Sequence, residues 1–256
     1  MLYSSIKDIQ EKFVELYEED DKQYDTLEIL GASFIANADS IFGTPNKQYR
    51  LAEVDWYDTQ VRNVNKLQDF YGKIPVIWKT HAANNAGDIN SNYGWMIYSK
   101  ENGSQYDFAL RELKENPNSR RATMIYQNPF MHTEYRRDGI NDFCCTNAVT
   151  YYIKEDPNKG TVVNAVVQMR SNDAVFGYMN DVYWQRKVLD RLAIDLSLES
   201  GIIIWQAQSL HVYPRHYHLI EEYINQSYDE EPSNIDEDDG SWLASAGMGT
   251  DEDYGG

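Results

Sequence analysis

Apolar positions change their period along the chain, and the changes mark out its elements. Ile6, Ile9, Phe13, Leu16 and Tyr17 recur at helical spacing, so residues 4 to 19 read as an amphipathic helix with Ser4 or Ser5 as its cap. The acidic run EEDDKQYD reads as a loop. TLEILGASFIA then reads as a strand, with Gly31 at a bulge or bend. Residues 47 to 58 return to helical spacing, which brings Glu53 and Trp56 together at i and i+3. IPVIWK is a short apolar segment opening an irregular stretch, and GDINSNYGWMIY reads as a loop that ends in aromatics. QYDFALRELKENP predicts a helix that stops before Pro117; NSRR follows it, and ATMIY predicts a strand.

The stretch from Asp142 to Asp181 supplies two more strands, CTNAVTYYI and TVVNAVVQMR. Residues 183 to 198 predict a helix with Val188, Leu189, Leu192, Ala193 and Leu196 on its apolar face. GIIIWQAQSLHVY reads as a buried strand running into a polar turn. After Tyr228 the composition shifts to Asp, Glu, Gly and Ser. Residues 1–228 are therefore expected to form a single domain and 229–256 an acidic, disordered tail.

Composition narrows the class of protein. With 256 residues and 42% hydrophobic content, the chain is globular and long enough for a substantial core. The net charge of −18 argues against a nucleic-acid coat or an anionic-membrane binder. The charge is uneven: Asp229 to Gly256 hold ten acidic and no basic residues, so that segment carries −10 and the remainder −8. Such a tail either solubilises or docks a partner, for example in a nucleotide-synthesising complex. No apolar run approaches bilayer length and no N-terminal signal is visible, so a cytoplasmic protein is expected. Only two cysteines occur, adjacent at 144 and 145, which gives neither a disulfide framework nor metal-ligand spacing.

Several side chains are candidates for chemistry. Cys145 is either a small buried hydrophobe or a nucleophile; Cys144 points the opposite way in an extended segment. A thiolate near Arg170 is expected to have a lowered pKa. Arg170 and Ser171, in RSND, suit an anion such as phosphate. Arg120 and Arg121 read locally as a solvated turn. Glu53, His211 and Tyr213 are suited to positioning water and hydroxyl groups, and Asp181 reads equally well as the N-cap of a helix starting at Val182.

EVDWY, INSNYGW, NPNSRR, CTNAVTYYI, QMRSNDAVFG and SLHVYPRH occur in this order, preceded by GASF. The series, spanning roughly residues 26 to 218, resembles the thymidylate synthase family, and within it the deoxycytidylate hydroxymethylase branch. The resemblance implies an α/β fold with a mixed twisted sheet whose back packs on a second subunit. It implies Cys145 as nucleophile and Arg170, Ser171 and Asn172 as substrate contacts, with Arg120 and Arg121 reaching the partner subunit's phosphate. His211 and Tyr213 would touch the deoxyribose and Glu53 would organise water. Trp78, Tyr93 and Asp173 would lie by the base and the folate co-substrate, 5,10-methylenetetrahydrofolate.

Three positions depart from the family pattern. Asp181 stands where an asparagine reads uracil, Thr146 stands where histidine is common, and Lys22 is the only basic residue in the N-terminal phosphate loop. A carboxyl accepts from the cytosine amine and, when protonated, donates to ring nitrogen-3, so Asp181 implies dCMP as substrate. The implied activity is hydroxymethyl transfer through a cysteine adduct. Methyl transfer, a deoxyuridylate substrate and a catalytically idle binding subunit are the alternatives.

Overall fold

The computed structural model describes residues 4–20, 26–82, 86–134 and 140–229. Lys22 and the tail after Asp229 lie outside these residues. Helix α1 (Ile6–Glu18) starts at Ser5, whose Oγ accepts from Asp8 N at 3.3 Å while the Asp8 carboxylate accepts from Ser5 N at 2.5 Å. This reciprocal capping box satisfies two helix-end donors. Its face of Ile6, Ile9, Phe13 and Leu16 is buried.

Strand β1 (Leu27–Ile35) pairs antiparallel with β6 (Glu199–Val212). Leu30 opposes Ser209 and Ala32 opposes Ala207, so the register passes through Gly31 unchanged. Gly31, at φ +69°, is therefore a bend and not a bulge. The sheet order is β1, β6, β4 (Gly160–Met169), β3 (Thr146–Asp156), β2 (Thr123–Ile125). The pairing of β4 with β6 is parallel and the other pairs along this path are antiparallel, giving a mixed sheet. A short β5 (Asn172–Asp173) also runs parallel to β6, opposite Leu210 and His211. Arg170 and Ser171 fall in the gap between β4 and β5, outside both ladders.

The two faces of the sheet differ. Val149, Tyr151, Val163, Ala165, Val167, Ile203, Trp205 and Ala207 are buried on one side. Helix α8 (Phe176–Leu196) packs on β4 and β6 there, burying Val182, Trp184, Val188, Leu189 and Leu192. Burying each such side chain contributes about 1.5–3 kcal/mol. The opposite side carries half-buried Thr150, Val166, Ile204 and Gln206 with exposed Gln168 and Ile202.

Three helical expectations need correction. Helix α8 begins at Phe176, so Asp181 lies inside it and is not its cap. The stretch read as a loop contains α5 (Tyr93–Tyr98), capped by Asn92 Oδ1 accepting from Trp95 N at 2.7 Å. IPVIWK contributes to α4 (Val76–His81). The other α-helices among the described residues are α2 (Lys47–Asp58), α3 (Gln68–Tyr71), α6 (Gln105–Glu115), α7 (Met131–Glu134) and α9 (Tyr217–Asp229), the last following a short 3-10 turn, Pro214–His216, after β6. Helix α5 comes so close to α2 that a Cβ on Gly94 would sit 1.8 Å from Tyr57 O. Only glycine fits there.

Candidate active site

The site forms where the start of β3, the end of β4 and β5 meet α2, α4, α5 and α8. A register irregularity between Thr146 and Ala148 interrupts the β3–β4 ladder beside Cys145. Cys144 is buried in the core and Cys145 is half-buried; both are free thiols. Arg170 N donates to Cys145 O at 2.9 Å. Its guanidinium is held by Cys144 O (Nε, 3.0 Å) and Phe143 O (Nη2, 2.6 Å), which brings Nη2 to 3.5 Å from Cys145 Sγ. The structure thus joins Cys145 to Arg170 as the sequence suggested, but not with the expected electrostatics. Burial pushes the Cys145 thiol up to about 11, and the nearby guanidinium offsets only part of that rise.

Two carboxyl groups face the same region. Asp181 accepts from Asn172 Nδ2 at 2.9 Å. Burial, reinforced by Glu53, holds its carboxyl well above the usual carboxylate range. Glu53 is buried on α2, and burial raises it to about 7 despite hydrogen bonding from Tyr49 and Trp78. Tyr49 Oη donates to Glu53 Oε1, and Trp78 Nε1 donates to Tyr49 Oη at 2.8 Å. Trp56, which the sequence set beside Glu53, instead donates its indole N–H to Val61 O at 3.0 Å and packs edge-on against Trp78.

Tyr93 is buried, its ring stacked on Tyr57 at 5.3 Å, and its hydroxyl is 3.1 Å from Thr146 Oγ1. The INSNYGW segment is tied down by Asp142. That buried carboxylate accepts from Asn90 N at 2.7 Å, Ser91 N at 2.6 Å and Ser91 Oγ at 2.6 Å. Asp142 and Tyr49 were not found as site-building residues from sequence. Tyr49 had a usable signal, since it lies one helical turn before Glu53. Asp142 had none, because its partners are 51 and 52 residues away.

At the other end, Asp173 Oδ1 accepts from Val175 N at 3.0 Å and Ala174 N donates to His211 O at 2.8 Å. His211 is buried, which lowers its pKa; its ring lies edge-on to Tyr213 at 4.9 Å. Asn172 is buried and Ser171 half-buried. Beside the start of α8 is a cavity of about 280 Å³ walled by Val175, Phe176, Met179, Arg215, His216 and Leu219. Arg120 and Arg121 are exposed and make no hydrogen bond or ion pair to this site within the chain; Arg121 Nη2 pairs with Glu112 Oε1 at 2.9 Å.

The strand break thus sets the Arg170 guanidinium beside the half-buried Cys145 thiol, with the buried carboxyls of Glu53 on α2 and Asp181 on α8 close to one another. A family model for thymidylate synthase matches residues 45–239, and the chain belongs to the thymidylate synthase family. Among its relatives, the deoxycytidylate 5-hydroxymethyltransferase of Enterobacteria phage T2 is 46% identical over 207 residues, covering 78% of this chain and 80% of that protein. The same-named enzyme of Enterobacteria phage T4 is 46% identical over 205 residues, 77% and 80% of the two chains. A thymidylate synthase of Fusobacterium nucleatum is 30% identical over 179 residues, 68% of this chain and 60% of that one.

Proposed function

We propose that this chain is a deoxycytidylate 5-hydroxymethyltransferase, joining a one-carbon unit to C5 of dCMP with water completing the product. The observation that carries the choice of base is Asp181, a carboxyl held by Asn172 in the recess that also contains Cys145 and Glu53. A raised pKa favours the protonated form, which accepts from the cytosine amine and donates to ring nitrogen-3.

In this reading the thiolate form of Cys145 bonds to C6 and the ring's C5–C6 electron pair becomes available at C5. Asp181 supplies a proton to nitrogen-3 as negative charge develops there. 5,10-Methylenetetrahydrofolate supplies the one-carbon unit. Loss of the C5 proton together with cleavage of the bond from the one-carbon unit to the folate nitrogen, tetrahydrofolate departing, would leave an exocyclic methylene on the base. Glu53 accepts a proton from water as the water oxygen bonds to that methylene carbon. The displaced electron pair passes through the ring, restores the C5–C6 double bond and expels the Cys145 thiolate as nitrogen-3 returns its proton to Asp181. Arg170 and Ser171 hold the phosphate, and Asn172, His211 and Tyr213 position the nucleoside. The half-buried rings of Trp78 and Phe176 would lie against the folate, with Tyr93 packed behind them, and Asp173 would offer a carboxylate and Arg215 a cation.

The homodimer belongs to the same proposal. The half-exposed back of the sheet, with Val166, Ile202 and Ile204, provides an apolar surface, and the outward guanidiniums of Arg120 and Arg121 can serve the partner's phosphate site. Lys22 would act in its own chain's phosphate loop, residues 1–228 would form the catalytic unit, and the protein would work in the cytoplasm of a host cell. Among the described residues no helix is long and apolar enough to cross a membrane.

Incubation with 5,10-methylenetetrahydrofolate and either dCMP or dUMP, followed by product mass, tests the reading. A dCMP product heavier by CH2O is expected. A gain of CH2 alone would mean methyl transfer, and turnover of dUMP alone would remove the role given to Asp181.

A further inference from the structure

Glu53 has two carboxylate oxygens, and the protein treats them differently. Oε1 accepts the hydroxyl proton of Tyr49, whose oxygen in turn accepts from Trp78 Nε1 at 2.8 Å. Oε2 receives no hydrogen bond from Tyr49, and the Trp78 indole lies close enough to the carboxylate to favour its ionised form. Tyr49 has one proton to donate, and the bond to Glu53 uses it. Its ring is itself fixed, edge-on to Tyr71 at 5.2 Å, and Asn46 Nδ2 donates to Tyr71 Oη at 3.1 Å. The clamp therefore runs from the N-cap of α2 through two tyrosines to the carboxylate, with α4 attached through the indole.

We propose that Tyr49 is a positioning residue for the water-addition step: it orients Glu53 so that Oε2 alone faces the reacting water, and it fixes the Trp78 ring in register with that carboxylate. The inference rests on the role of Glu53 proposed above and extends it to a residue that would touch neither dCMP nor folate. The charged and titratable groups around Glu53 are Tyr49 and Tyr57 on its own helix and Asp181 from α8; α4 presents only the neutral indole of Trp78. Of these, Tyr49 and Trp78 favour the ionised carboxylate. Activity that requires ionised Glu53 rises as pH increases through its pKa, so removing the Tyr49 hydroxyl moves that rise to higher pH.

The test compares Tyr49→Phe, Glu53→Gln and the double variant in the full-length chain, with urea midpoints confirming folding. For Tyr49→Phe the expected result is a KM for dCMP within about twofold of the parent and a kcat lower by about 10- to 100-fold, the scale of a misplaced reacting group. The acid limb of its kcat profile should shift upward in pH. The double variant should be no slower than Glu53→Gln. A Tyr49→Phe enzyme with the parental kcat and acid limb, beside an inactive Glu53→Gln, overturns the role of Tyr49 alone. A loss of kcat with an unmoved acid limb, or effects that multiply in the double variant, also overturns it. An active Glu53→Gln removes the role of Glu53 and the inference with it. Absence of any product from dCMP in the parent instead defeats the proposed function.

Discussion

Cys145 allows a quantitative test because two opposing effects meet at its sulfur. Burial raises the thiol to about 11 even with Arg170 Nη2 only 3.5 Å away. At pH 8 such a group is about one-thousandth thiolate, whereas an unperturbed cysteine near 8.5 is about one-quarter thiolate. A thiolate of higher pKa is intrinsically more nucleophilic, which returns about one decade. Iodoacetamide should therefore label Cys145 about 10- to 30-fold more slowly than a model peptide thiol at pH 8. The log rate should climb with a slope near one across pH 7 to 10, about the span below the thiol's pKa. Arg170→Gln removes a unit charge worth about 1–5 kcal/mol at this separation, between the limits of bulk water and a protein-surface dielectric. After the same nucleophilicity correction, labelling at fixed pH should slow by about 3- to 100-fold. Mass spectrometry of the digested protein distinguishes Cys145 from its buried neighbour Cys144. A plateau near pH 8.5, or faster labelling in Arg170→Gln, would show that burial does not control this thiol.

Asp181→Asn cannot deliver a proton to nitrogen-3, so kcat/KM for dCMP should fall by about 10²- to 10⁴-fold while the value for dUMP rises; an unchanged ratio counts against base selection by Asp181. Mixing Cys145→Ser with Arg121→Ala subunits should restore activity that neither has alone, and heterodimers without recovery would speak against shared phosphate sites. Asp142→Ala strands the buried amides of Asn90 and Ser91, so the urea midpoint should drop by the equivalent of about 2–5 kcal/mol. A stability change under about 0.5 kcal/mol would mean that the loop holds itself without that carboxylate.

Periodicity made the regular elements legible. The α1 face, the helix carrying Glu53 and the alternation along β3 and β4 follow directly from spacing. The start of α8 does not, because VFGYMND contains Gly177 and no capping residue at the right place. The Asp173 side chain, brought in through β5, receives the Val175 amide there. Helix α5 has six residues, too few to express a period. The Cys145–Arg170 contact was readable as a juxtaposition, yet its effect on the thiol was misjudged because local sequence does not report how much protein encloses the sulfur. Arg120 and Arg121 show the opposite case: their spacing suggests a solvated turn, their geometry within one chain agrees, and the family resemblance alone assigns them work elsewhere.

The gap between β4 and β5 has a consequence for how substrate choice can evolve. Arg170 and Ser171 occupy a break in a strand, whereas Asp181 is carried by a helix laid across the sheet. On the proposed reading, the common part of every nucleotide is gripped by one element and the variable part is inspected by another. A single codon change on the helix can then redirect the enzyme to a different pyrimidine while the grip on the phosphate stays intact.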